Sequence, residues 1–128
     1  MRSMRRRGFA LWCALTSAAL TAQVVGAPGD ASRGKTLYES RCTACHSLDH
    51  SRIGPAHRGV YGRRAARVPG FDYSPALRQA HIIWNARSLD RWLKDPEGFV
   101  PGQKMGFSVP DPQDRADIIA FLASAEAK

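Results

Sequence analysis

Apolar and polar positions along the 128-residue chain are patterned as helices separated by long irregular stretches. Over residues 30–41, Ala31, Gly34, Leu37, Tyr38 and Arg41 fall on one face by three-and-four spacing, with Asp30 placed to cap the helix they predict. Gly34 is a weak helix position, but it lets another backbone approach closely. Residues 47–75 break every long period, with Gly54, Pro55, Gly59, Gly62, Pro69, Gly70 and Pro75 spread through them. A loop of that length is unusual in a compact domain and becomes reasonable if it wraps a ligand. Short helices are expected over 74–79 and 88–94, the latter capped by Ser88 and stopped by Pro96. Residues 98–112 read as a further loop. The best-signalled helix is the last: Asp111 as N-cap, Pro112 at the first position, Asp114 and Asp117 near the positive end of the dipole. Ile118, Phe121 and Leu122 form its apolar stripe. There is no repeat and no alternating strand pattern of useful length, so the predicted fold class is all-α with long loops.

The first residues follow another rule. Arg2, Arg5, Arg6 and Arg7 precede a mostly apolar run over 9–25, and small residues follow up to Ala27. That is the form of a secretory signal peptide, which divides the chain into a leader, 1–27, and a domain, 28–128. Cleavage after Ala27 fits, with Val25 three residues before the cut; cleavage after Ala22 is the alternative, placing the mature start between Gln23 and Asp30. Retention as a membrane anchor competes with this reading, but the run is barely long enough to span a bilayer, and Thr16, Ser17, Thr21 and Gln23 dilute it. Cys13 follows the bulky Trp12, which does not suit a lipid-anchor signal. No membrane span is therefore expected after cleavage.

Losing the leader's four arginines takes lysine plus arginine from 19 to 15, leaves 11 acids, and lowers the net charge from +8 to +4. A mildly basic domain favours acidic protein surfaces through electrostatic steering. Nucleic acid is disfavoured, because no basic cluster interleaved with stacking aromatics stands out. A domain of about 100 residues buries only roughly two thirds of its chain surface. An apolar cofactor at its centre would add to that core.

Of three cysteines, Cys13 leaves with the leader, and Cys42 and Cys45 remain within Cys42-Thr43-Ala44-Cys45-His46. Two thiols three residues apart can each add to one haem vinyl group, and the histidine that follows is placed beneath the iron. A Cys-x-x-Cys pair also occurs as a redox dithiol or half of a zinc site. Zinc needs two further soft ligands, and the mature chain has no other cysteine. A thioredoxin-like site wants a βαβ context, which is missing. Met105 is the only methionine of the mature chain and sits in a polar, glycine-containing loop, Pro101 to Phe107. A lone methionine ordinarily fills a core gap. Here no helical periodicity asks for an apolar residue, and a thioether can ligate haem iron.

These motifs, with Gly34, Tyr38, Gly54-Pro55, Gly62-Arg63, Pro69-Gly70-Phe71, Tyr73, Trp84, Leu89, Trp92-Leu93, Pro96, Pro101-Gly102, Lys104 and Phe121, resemble the class I cytochromes c. That group holds mitochondrial cytochrome c and bacterial cytochrome c2, and the likeness runs from Asp30 to Ala123. It implies a cytochrome c fold, with N- and C-terminal helices crossing and short helices and long loops around one haem c. Gly34 and Tyr38 would then meet Ile118 and Phe121. The haem would be attached through Cys42 and Cys45, with His46 and Met105 as iron ligands. Pro55 would accept the His46 N–H, and Arg63, Tyr73 and Trp84 would serve the haem propionates. Trp92 and Leu93 would wall the cofactor. The implied function is periplasmic single-electron transfer by a monomer that is not an enzyme, with transient redox partners docking through acidic surfaces. Arg41, Arg52, Arg87 and Lys104 are candidates to ring the haem edge, or serve solubility alone. The competing functions are a haem enzyme or sensor with a displaceable Met105, and a cytochrome subunit dedicated to one periplasmic dehydrogenase. The chain departs from the group in three places. The segment between His46 and Gly54 is shorter, His57 stands where an apolar haem contact is usual, and Trp92 replaces a tyrosine. His50 and His81 are expected in solvent.

Overall fold

The computed structural model describes residues 27–128; apart from Ala27, the expected leader lies outside the described residues. Five helices follow in order. The first, α1 (Ala31–Arg41), starts where the Asp30 carboxylate accepts the backbone N–H groups of Ser32 and Arg33, at 2.8 and 3.2 Å. Two donors that the helix itself cannot satisfy are thereby paired. Then α2 (Pro75–Gln79) is capped by the Ser74 hydroxyl, 3.1 Å from the Leu77 nitrogen.

Helix α3 (Ala86–Lys94) corrects the expected start. Its cap is Asn85, and Ser88 is the third residue inside. The Asn85 amide oxygen accepts the Ser88 N–H at 3.0 Å, and the Ser88 hydroxyl accepts the Asn85 N–H at 2.9 Å. Both are capping residues, and the reciprocal pair outcompetes a Ser88 cap acting alone. Pro96 ends α3 as expected but also opens α4 (Pro96–Phe99), capped by Asp95. A proline lacks a donor that the first turn of a helix does not use, so the predicted loop begins after Phe99. The last helix, α5 (Pro112–Ala123), has the expected cap, with Asp111 accepting the Asp114 N–H at 2.8 Å. Among the described residues the only β pairing is a single bridge between Arg64 and Ile83.

Helix α5 is the hub: α1 and α3 both pack on it, and α4 packs on α3. At the α1–α5 contact the backbones touch. A Cβ built on Gly34 would lie 1.9 Å from the Asp117 carbonyl oxygen and 3.0 Å from the Phe121 Cβ. Beside it the Tyr38 and Phe121 rings meet at 5.2 Å, while Ile118 is 1% exposed. The interface is also polar. The Asp30 N–H donates to the Asp117 carboxylate at 2.8 Å, Arg33 bridges Asp114 and Asp117, and Arg41 reaches Asp114 at 2.8 Å. Asp114 and Asp117 thus do more than favour the dipole. They lie three residues apart, hence on one face, and that face is turned toward α1.

Long loops fill the remainder and pack on this frame. Arg115, 6% exposed, donates to Asp90 on α3 at 2.7 Å and to the carbonyls of Val109 and Pro110 at 3.0 and 2.8 Å. One side chain therefore fastens the last loop to two helices. Among the described residues, no helix is long and apolar enough to cross a membrane.

Candidate functional site

The Cys-x-x-Cys-His segment grows directly out of α1. The Cys42 N–H donates to Tyr38 at the helix end, and the Cys45 and His46 N–H groups both return to the Cys42 carbonyl, at 3.1 and 2.8 Å. This tight turn keeps the two free thiols and the imidazole on one short stretch. Cys45 is exposed and Cys42 half-buried. Burial pushes the Cys42 thiol up to about 11, so it stays protonated at neutral pH.

His46 is buried, 8% exposed. Its Nδ1 lies 2.8 Å from the Pro55 carbonyl oxygen. A carbonyl only accepts, so Nδ1 carries the ring proton and Nε2 of the neutral ring keeps a lone pair for a metal. Burial holds the ring's pKa below the usual histidine value, against the opposing effect of the Pro55 bond. Gly54 covers the ring: a Cβ there would sit 2.2 Å from Cε1 and 2.5–2.6 Å from both nitrogens. The Gly54 N–H donates to the Cys45 carbonyl at 2.8 Å, closing the loop over the histidine. Only glycine fits. His57 stacks on the same imidazole, with ring centroids 3.9 Å apart and planes inclined by 21°. Its Nδ1 is 3.1 Å from the Tyr38 hydroxyl. Burial, then the neighbouring His46 and Arg63, holds the His57 pKa well below the ordinary value.

Met105 is half-buried against the apolar core, in a loop gripped from outside. The Glu97 carboxylate accepts the Gly102 N–H at 2.9 Å and the Gln103 side-chain amide at 3.2 Å. The Gln103 amide oxygen in turn accepts the Met105 N–H. Gly102 has φ +88°, a left-handed turn that a side chain would strain. No periodicity within 98–112 points to the Glu97 clamp; the short α4 carries Glu97 to the loop.

The remaining expected site residues are dispersed around the loops. The Arg63 guanidinium donates to the Arg58 and Ala56 carbonyls, at 2.7 and 3.1 Å. The Tyr73 hydroxyl accepts the Val68 N–H at 3.1 Å, and burial raises its pKa. Trp84 is buried beside Trp92, ring centroids 5.5 Å apart, and its backbone pairs with Gly62 and Arg63. Of the candidate rim charges, Arg41 is engaged with Asp114, Arg52 with the Thr43 carbonyl at 2.6 Å, and Lys104 with Asp72 at 3.4 Å. Arg87 is exposed. His50 and His81 are exposed as expected, but His81 has φ +52° and its Nδ1 is 2.7 Å from an Arg64 guanidinium nitrogen.

The donor set fits a haem held through two cysteines, because the thiols are free, the adjacent imidazole offers Nε2, and a thioether lies against the core. The sequence model of the cytochrome c family, "Cytochrome c", matches residues 31–126. The chain is 47% identical over 97 residues to a cytochrome c of Euglena viridis, covering 73% of this chain and 95% of that protein. It is 42% identical over 98 residues to a cytochrome c2 of Rhodopila globiformis, covering 74% and 92%. The solved structure of cytochrome cH from Methylobacterium extorquens superposes with a TM-score of 0.70 at 38% identity, covering 73% of this chain and 97% of that one.

Proposed function

Because the chain belongs to the cytochrome c family, we propose that His46 and Met105 would hold its haem iron and that it works in the bacterial periplasm. The protein is an electron carrier and not an enzyme, with one haem c attached covalently through cysteine; Cys42 and Cys45 have the spacing this requires. When bound, the haem supplies a one-electron ferric/ferrous couple. The chain's own residues set how that couple behaves. Cys42 and Cys45 anchor the group beside α1. Pro55 orients His46 and strengthens it as a donor. Met105, positioned through Glu97, would hold the iron together with His46, and a methionine/histidine pair would raise the reduction potential.

The observation that carries this reading is the Pro55–His46 bond at 2.8 Å, which leaves Nε2 as the donor nitrogen on the residue next to Cys45. Arg63, Tyr73 and Trp84 serve the propionates in the same reading. Residues 28–128 are the mature domain, exported by the 1–27 leader and acting as a monomer. Arg52, Arg87 and Lys104 steer transient partners with acidic docking surfaces.

Optical and mass spectra test it together. The ferric wild-type protein is expected to show a sulfur-to-iron charge-transfer band, and Met105→Ala to lose it and to fall in potential. Persistence of both in Met105→Ala would remove Met105 from the iron. The periplasmic protein should have the mass of the cleaved chain plus one haem.

A further inference from the structure

Besides its two contacts with the Gly54-Pro55 turn, His46 meets a side chain that no ligation scheme requires. A ring bonded to a metal at Nε2 and to a carbonyl at Nδ1 still has the play of those two bonds, and a contact packed against its face narrows the range of its plane further. His57 makes that contact, 3.9 Å between centroids and 21° from parallel. It is itself held: its Nδ1 meets the Tyr38 hydroxyl at 3.1 Å. Tyr38 is 3% exposed and wedged against Phe121 where α1 and α5 meet. On the other flank, Arg63 ties down the carbonyl of Ala56, next in chain to His57. An aliphatic side chain at 57 would offer neither a flat face nor a partner for the hydroxyl. A phenylalanine at 38 would leave the His57 ring free to turn.

We propose that His57, braced by Tyr38, is a positioning residue that sets the rotational angle of the His46 plane on the iron, so that the packing of the terminal helices is transmitted to the electronic ground state of the metal. The proposal rests on His46 being an iron ligand. It goes beyond that assignment because ligation alone leaves play in the angle. Outer-shell partners orient metal-bound imidazoles in this way, and near-parallel ring contacts have a preferred geometry that resists rotation.

The test uses the ferric holoprotein and reads the angle itself, through the g-values of the low-spin iron and the spread of the paramagnetically shifted haem-methyl resonances. His57→Leu is expected to change both while leaving the sulfur-to-iron band in place. His57→Phe, which restores a flat face, should return most of the wild-type pattern. Tyr38→Phe should give a smaller change, and the Tyr38→Phe/His57→Leu double variant no more than His57→Leu alone, since one residue acts through the other. A wild-type pattern in His57→Leu, or additive effects in the double variant, would overturn the proposal. If His57→Leu does not mature, the near-isosteric Tyr38→Phe decides alone, an unshifted pattern counting against the brace. A wild-type ferric protein without a low-spin signal would overturn the ligand assignment, and this proposal with it. A purely structural role would lower stability and leave the resonance pattern where it was.

Discussion

Replacing Gly34 by alanine sets two effects of known size against each other. Alanine is favoured over glycine inside a helix by about 1 kcal/mol, so α1 alone would gain. Against this, the new methyl would lie 1.9 Å from the Asp117 carbonyl oxygen and 2.4 Å from its carbon. An ordinary non-bonded contact is about 3.5 Å, so the helices would have to part by roughly 1.6 Å. The opposing atoms are backbone and cannot rotate aside, which puts the overpacking cost at the upper end of its range, about 3 kcal/mol. Parting also strains the Asp30–Asp117 bond and the Tyr38–Phe121 contact beside it. The clash wins by about 2 kcal/mol, and at about 4–8 °C per kcal/mol for a domain of this size the melting temperature should fall by roughly 8–16 °C. Thermal unfolding of the ferric holoprotein, followed by far-ultraviolet circular dichroism, measures this. Gly106→Ala is the control: nothing lies within 4 Å of its added Cβ, and it should stay within about 0.5 kcal/mol of wild type. A Gly34→Ala protein that melts at or above wild type would refute the backbone contact between α1 and α5.

Other perturbations follow from the same frame. Burial pushes the Asp114 and Asp117 carboxyls up, but Arg33 and Arg41 for the first, and the Asp30 N–H, Gln113 and Arg33 for the second, leave both below the usual range. Their folded values being depressed, the stability they add is present above the unfolded carboxylate value of about 3.9 and is lost as pH falls through the folded values. Acid titration of Asp114→Asn/Asp117→Asn should therefore show a shallower decline than wild type below about pH 4; equal slopes would contradict the coupling. Glu97→Ala should cost about 1 kcal/mol at the Met105 loop, seen as loss of the sulfur-to-iron band at lower denaturant than the loss of helix; coincident transitions in this variant would mean the clamp is idle. Arg115→Ala removes three bonds from a buried site and should lower the unfolding free energy by about 2–3 kcal/mol in a urea titration; a change under half a unit would remove it from the frame.

Much of this molecule could be read along the chain, because much of it is local. Asp30 and Asp111 cap the helices they were expected to cap, since a cap acts within three residues. The Cys42–His46 turn is likewise defined by covalent spacing. What stayed hidden depends on partners far apart in sequence. Arg33 meets Asp114 and Asp117 across 81 and 84 residues, so the two acids carried only a local meaning as helix-dipole residues. Asn85 and Ser88 are both capping types, and composition alone does not choose between a single cap and a reciprocal pair. Pro96 reads as a stop because the pattern shows where a helix must end and not that a new one starts; without α4, Glu97 has no visible task. His57 stands out along the chain only as a departure from the family pattern, and its stacking on His46 depends on loop geometry that no periodicity encodes.

The reliance of α1 on α5 also bears on the order in which the molecule takes shape. Cys42, Cys45 and His46 emerge during synthesis before α5, the helix on whose surface α1 settles. Non-local pairing must wait for both partners. Until α5 arrives, α1 lacks the surface it packs on, and the turn that carries the two thiols is not yet held in its folded place.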